Sequence, residues 1–326
     1  MPSKKHLMTL LKFAVSALLI WFVLSKIDLA AALDRIAGMD PAMAALALAL
    51  ICLQTIPATL RWTAVLDAIE APLPFLQALR LFFIGIFFNQ TLPSSVGGDA
   101  VRIFVAHREG LTLRGAINGV MLERASTVIA LVLVVAAMQA RFLERVDDTA
   151  GKWVLPAVGL LALAAVGGLA FLMVLDRLPA SLPRWRIVRG LGYLAGDTRR
   201  VFLAIGPAVK TIFWGAVGHT NVSFAVFVLA VGLDIDVSFL DCLTLVPLVL
   251  LVTTVPISIA GWGVREGAMV VAFGLIGVAN ESAVVLSIML GLLAICGSLP
   301  GGILWLKSGQ SRKDVPDAIV DPTDAA

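Results

Sequence analysis

The sequence predicts an all-α polytopic membrane protein with about six spanning helices and two broken, re-entrant helical hairpins related as an inverted repeat. Three observations predict it. Hydrophobic residues make up 60% of the 326 and charged residues 14%, with a mean hydropathy of +0.97; a soluble core cannot hide that much apolar surface, so the solvent is lipid. Several apolar runs reach the roughly 20 residues that a membrane-crossing helix needs, and no short alternating strands of a barrel are visible. Two further apolar regions, 75–103 and 240–279, are interrupted by Pro, Gly and polar residues.

The first run, Leu7 to Leu24, follows Lys4 and Lys5 and resembles a signal peptide. Its length, with Lys12 near its start and a membrane-embedded remainder, favours an uncleaved first helix. The full spans are read at about 8–24, 42–60, 116–139, 153–175, 207–232 and 282–306, with Trp21, Trp62, Trp153 and Trp305 near their ends, where amphipathic rings favour the interface. Residues 1–310 form one transmembrane domain of two pseudo-repeats, about 1–163 and 164–326, and 311–326 is expected to be a disordered tail. Cys52, Cys242 and Cys296 sit in apolar runs without metal-ligand spacing, so they read as packing residues. No metal or cofactor is expected.

Orientation follows from charge. With a cytoplasmic N-terminus, and each broken region returning to the side it came from, 18 Lys and Arg fall in cytoplasmic segments and 5 in external ones. That split obeys the positive-inside tendency and places both termini in the cytoplasm. Two complete helical hairpins would give the same loop sides, so re-entrant and spanning hairpins both stay open. The basic stretch 176–206 carries Trp185, Val188, Leu191 and Leu194 at helical spacing among six arginines, and is expected to form an interfacial cytoplasmic helix. The 233–241 loop, with Asp234, Asp236 and Asp241 and no cation, reads as an external acidic turn.

The two interruptions share a pattern. LPSSVGGDAVR at 92–102 aligns with VPISIAGWGVR at 255–265: Pro93 with Pro256, Ser95 with Ser258, Gly98 with Gly261 and Arg102 with Arg265. The offset is 163, half the chain. Pro removes a backbone donor and Gly permits tight turns, so Pro93, Gly97, Gly98, Pro256, Gly261 and Gly263 are expected to open the helices. Open backbone in hydrocarbon costs several kcal/mol per unsatisfied group unless it is buried in protein or lines a wet cavity. Two inverted breaks near the midplane would therefore wall a polar site; two structural kinks are the alternative.

Ionisable residues sharpen the choice. Asp99 and Arg102 follow the first break, Arg265 and Glu266 follow the second, and Glu123 and Arg124 begin a span. Such groups are expensive at membrane depth and usually functional or paired. In one reading they are ion pairs that lock the hairpins, Asp99 and Arg102 being three apart on a helix. In the other, Arg102, Arg124 and Arg265 hold the phosphate of a lipid headgroup, since the guanidinium fork matches phosphate oxygens. Asp99, Glu123 and Glu266 then tune the site, and Asn89, Gln90, Ser95 and Ser258 add neutral hydrogen bonds. His219, in GHTNVS, reads as a proton relay or as a bond to a neighbouring helix. No nucleotide-binding loop, metal constellation or catalytic triad stands out.

These motifs carry a resemblance. LPSSVGGDAVR, the helix start LERAS and the late PISIAGWGVREGA resemble the lysylphosphatidylglycerol synthase transmembrane-region family, flippase-like membrane proteins of bacteria and archaea, over nearly the whole chain. Ser94 and Ser95 depart from the small residues expected at the first turn. The resemblance implies a module that moves lipid across the cytoplasmic (inner) membrane, in relatives an aminoacylated phospholipid made by a separate soluble domain. The tail after the last span is too short for such a domain, so translocation without synthesis is expected and the chain is not expected to be an enzyme. Other relatives are associated with hopanoid or polyprenyl-linked lipids, so the partners implied are membrane lipids of one of these kinds and not nucleic acid. A membrane enzyme transferring a sugar or aminoacyl group to a lipid, or a scaffold of a lipid-synthesis complex, are the rival expectations.

Overall fold

The computed structural model describes residues 34, 36–92, 97–145, 148–177, 186–254 and 261–308. All its regular elements are helices, with no strand among the described residues. The predicted first span, 8–24, and the tail lie outside them.

The chain descends through α1 (Pro41–Leu53) and α2 (Thr55–Ala68), which together form one 28-residue apolar helical run interrupted only at Gln54. Asp40 starts it by accepting from the Ala42 N–H at 2.8 Å, with Pro41 at the first turn, where a missing N–H loses nothing. The predicted end of this span at residue 60 was too early: the helix runs on through Arg61 and Trp62. Next come α3 (Phe75–Thr91) and α4 (Gly97–Arg108), the two arms of the first interruption, then the long α5 (Leu113–Ala137), short α6 (Gln139–Arg145) and α7 (Asp148–Met173). A 3-10 turn at Leu175–Arg177 precedes α8 (Arg186–Phe202). The second half continues with α9 (Ile205–Gly232), the arms α10 (Phe239–Thr253) and α11 (Val264–Gly274), and α12 (Asn280–Lys307).

Four of these helical runs are long and apolar enough to cross a membrane: Pro41–Ala68, Leu113–Ala137, Ile205–Gly232 and Asn280–Lys307. The predicted span 153–175 falls on α7, whose described apolar part, Gly159–Met173, is shorter. The arms are shorter still. At 1.5 Å per residue, α3 and α4 reach about 26 and 18 Å, and α10 and α11 about 22 and 16 Å. Each falls short of a hydrocarbon core of about 30 Å.

Two apolar cores organise the helices. One gathers α2 to α5 around Trp62, Leu66, Leu81 and Leu122; the other gathers α9 to α12 around Leu229, Leu245, Met269, Phe273 and Leu286. The arms sit close. Gly85 of α3 faces Gly98 of α4, and a Cβ on Gly98 would overlap the Gly85 carbonyl and lie 2.5 Å from the Asn89 side chain. On its other side α3 meets Gly301 and Gly302 of α12, where a Cβ would run into Phe83 and Phe87. Gly98→Val is therefore expected to destabilise the protein by about 1–3 kcal/mol or more by forcing α3 and α4 apart. Thermal unfolding in detergent checks it, and an unchanged midpoint would contradict this packing.

The basic stretch before α9 does form a helix, and one of its faces belongs to the protein. Leu194, Ala195 and Val201 of α8 are buried. Asp197, also buried, accepts from Arg114 at 2.7 and 3.2 Å and from Asn118 at 2.7 Å, both on α5. Hydrogen bonds from Arg199 to Asp176 tie α8 to the preceding turn and hold the Asp176 carboxyl below its usual range. In the 233–241 loop Asp241 is not solvated: it is buried and caps α10, exchanging hydrogen bonds with Ser238 at 3.0 and 3.1 Å.

Candidate functional site

A cavity of about 280 Å³ is lined by α2, α3, α4, α5 and α9. Its charges form a chain. Glu123 on α5, 1% exposed, sits between two arginines. Arg61 of α2 donates to its Oε1 from Nε at 3.1 Å and again from Nη2, and Arg102 of α4 donates to its Oε2 at 2.7 Å. The next residue, Arg124, is turned about 100° around the helix and reaches Asp99 with a two-pronged contact, 2.7 Å from Nε and 2.9 Å from Nη2. Asp99 and Arg102, one turn apart on α4, close the chain at 3.5 Å. Thr127 supports Glu123 with a hydrogen bond of 3.2 Å.

The local sequence explains this order. Gly97 and Gly98 open α4, and Asp99 in its first turn suits the positive end of the helix. The Gly98 N–H donates to Asn89 Oδ1 at 3.0 Å, so Asn89 ties the restarted helix back to α3. Arg102 is clamped between the rings of Trp62 and Phe82, its guanidinium carbon 4.7 and 4.6 Å from their centres. Such stacking suits a planar, weakly hydrated cation.

The chain carries a surplus. Arg61, Arg102 and Arg124 face only Glu123 and Asp99, for a formal charge of +1 within the cavity. One buried donor among its lining residues, Arg102 Nε, lacks a hydrogen-bond acceptor. Arg124 is half-exposed, while Arg61 and Arg102 are buried. Chemically the cavity is a site for one negative charge, with one half-exposed guanidinium and two buried ones. Cations held in place at low dielectric attract an anion far more strongly than they would in water.

A second cavity of about 260 Å³ adjoins the first and shares Gln54, Ile86 and Gln90 with it. Here lies Arg265, with Gly261, Leu250, Thr253 and residues of α9 and α12. Glu266 Oε1 accepts from Arg265 at 2.8 Å and from Ser287 at 3.0 Å, while its other oxygen accepts from the Gly263 N–H at 2.5 Å and caps α11. Gly263 has φ of +85°, a conformation that costs other residues and lets the chain turn into α11.

The structure thus brings Arg102, Arg124, Asp99, Glu123, Asn89 and Gln90 together, and sets Arg265 in the neighbouring cavity with buried Glu266 bonded to it. Of the three expected arginines, Arg102 and Arg124 line the first cavity and Arg265 lines the second; Arg61, not among them, also lines the first. Ending the span at residue 60 left Arg61 in a loop, and the signal that finds it is its place inside a 28-residue apolar helical run. Gln54 was missed because a lone amide in a span carries no motif. His219 lines the first cavity and bonds the neighbouring helix, its Nε2 lying 3.1 Å from the Thr127 carbonyl. Pro93, Ser95, Pro256 and Ser258 lie outside the described residues. Among the described residues no group of His, Cys, Asp and Glu is placed to hold a metal.

Among individual curated proteins none matches the chain. The motifs at 92–102, 122–126 and 256–268 resemble one family, and the comparison with families agrees: the model of the lysylphosphatidylglycerol synthase TM region matches residues 9–301, and the chain belongs to that family.

Proposed function

We propose that the protein is a lipid flippase or transporter that takes the phosphate of a lipid headgroup into the charged cavity and passes it between leaflets. The observation that carries this reading is the formal surplus of one positive charge in a cavity lined by membrane-spanning helices. Charges that only locked helices together would balance; here the surplus cation is half-exposed Arg124, the group an anion entering the cavity would meet.

In this reading Arg61 and Glu123 are a fixed frame. Arg102 offers its unpaired Nε, and half-exposed Arg124 exchanges Asp99 for the phosphate, a bidentate acceptor of the same shape. Asp99 then competes with the bound headgroup and speeds its release. The short arms α3/α4 and α10/α11 act as re-entrant hairpins of an inverted repeat, so the site opens toward either face in turn. The protein works in the cytoplasmic membrane with both termini inside, and moves a lipid made elsewhere instead of making it.

The test is leaflet exchange of labelled anionic, zwitterionic and aminoacylated phospholipids in vesicles holding the purified protein. Wild type is expected to accelerate loss of asymmetry for at least one class. Arg124→Gln is expected to slow that exchange by roughly tenfold, with little change in stability, because a partly exposed pair contributes about 0–1 kcal/mol. Wild-type protein that moves no lipid would sink the transport reading, and a fully active Arg124→Gln variant would remove this cavity from the path.

A further inference from the structure

We infer that the second cavity is the seat of a hydrocarbon segment of the same lipid, so that the site recognises chain as well as headgroup. The inference rests on the proposed function for the headgroup and deepens it: it assigns a separate seat, beside the charged cavity, to the apolar chain of the same amphiphile.

The two cavities differ in chemistry although they share a wall. The first is lined by five charged side chains. The second is lined by Ile51, Val222, Leu250, Leu290 and Ala294, and its one charged lining residue, Arg265, is already satisfied. Its guanidinium is bound by Glu266 at 2.8 Å and by Ser287 Oγ at 3.1 Å, and it stacks 4.8 Å from the centre of the Trp262 ring. Arg265 and Glu266 cancel, so this cavity has no surplus charge to offer an anion. Water fills an apolar space of this kind poorly, and an empty one forfeits dispersion contacts all around its lining. In a bilayer the abundant filler is hydrocarbon.

Gln54 and Gln90 mark the boundary, because both line both cavities. Gln54 is held in place: its Oε1 accepts from Asn221 at 3.1 Å, and Gly218 leaves room for its amide, since a Cβ there would lie 2.8 Å from Nε2. A neutral, fixed amide between a cationic cavity and an apolar one suits the ester or ether region that joins a headgroup to its chains. The two sequence-related breaks, expected to share one polar site, would then divide the labour, the first holding the head and the second the chain.

The test uses the full chain in nanodiscs with two photoreactive anionic phospholipids, one carrying its diazirine in mid-chain and the other at the headgroup. The chain probe is expected to label Leu250 and the Leu290–Ala294 segment saturably, and the headgroup probe to label the α4–α5 region. Ala294→Phe fills the second cavity and is expected to reduce chain labelling there roughly tenfold, the equivalent of about two buried methylenes. Headgroup labelling should persist in that variant. The wild-type map decides the matter even if the variant folds poorly. Chain labelling confined to outward-facing positions such as Leu299 and Ile303, with headgroup labelling intact, overturns the chain seat alone. Absence of headgroup labelling in the first cavity overturns the proposed function itself.

Discussion

Arg102→Ala is expected to abolish lipid movement while the protein remains folded. The side chain bridges Glu123 and Asp99, stacks between Trp62 and Phe82, and keeps a buried donor without an acceptor. Removing it takes the formal charge of the cavity from +1 to zero, so the electrostatic reason for an anion to enter disappears. Folding should survive because Glu123 retains Arg61, which donates to it twice. Arg102→Lys keeps the charge but not the planar fork or the stacking, and should give an intermediate rate, since the two residues are not interchangeable at bidentate sites. Initial rates of leaflet exchange, with thermal midpoints measured on the same preparations, separate the two effects. A folded Arg102→Ala variant that moves lipid at the wild-type rate would mean that these charges are a structural lock and no more.

Glu123→Ala carries the largest expected loss of stability, about 3–5 kcal/mol, because it leaves buried Arg61 with no carboxylate and buried Arg102 with only its 3.5 Å contact to Asp99. Arg61 is 5% exposed and Arg102 2%, so neither can turn to water without moving its helix. Glu123→Gln keeps an oxygen acceptor and should lose less. A cycle with Arg61→Met tests the cause: if the loss arises from stranded charge, the double variant Arg61→Met/Glu123→Ala should be more stable than Glu123→Ala alone. Purely additive losses would show that volume, and not charge, explains the first result.

The two predictions act on one chain of contacts in different ways. Arg102 is a donor that the ligand can share, whereas Glu123 is the acceptor that keeps two cations inside the protein. Membrane depth is what makes the distinction sharp. A charged side chain that could reach water would re-solvate on losing its partner, and one enclosed by helices cannot.

Much of this was legible in the residues alone. Hydrocarbon as solvent forces helices and penalises open backbone, so class, spans and breaks leave strong marks in apolar run length and in the placing of Pro and Gly. Charge at membrane depth is rare enough that Asp99, Arg102, Glu123, Arg124, Arg265 and Glu266 stand out one by one. Pairing was less legible. Asp99 and Arg102 were paired by their spacing on one helix, and they do meet at 3.5 Å. Each nevertheless has a shorter contact across helices, Asp99 with Arg124 at 2.7 Å and Arg102 with Glu123 at 2.7 Å.

What the sequence by itself determined, then, is that this is a helical membrane protein of its family, and which side chains are too polar for lipid. Those are local properties, set by the free energy of placing each residue in hydrocarbon. The tertiary structure alone decided the partners: that Arg61 joins Glu123, that Arg265 is satisfied apart from the other arginines, and that a charged cavity and a mostly apolar one adjoin. The reason is geometric. Contacts between helices depend on how closely the backbones approach, and that distance is set by meetings such as Gly85 with Gly98 across one hairpin and Gly301 with Phe83 from opposite ends of the chain.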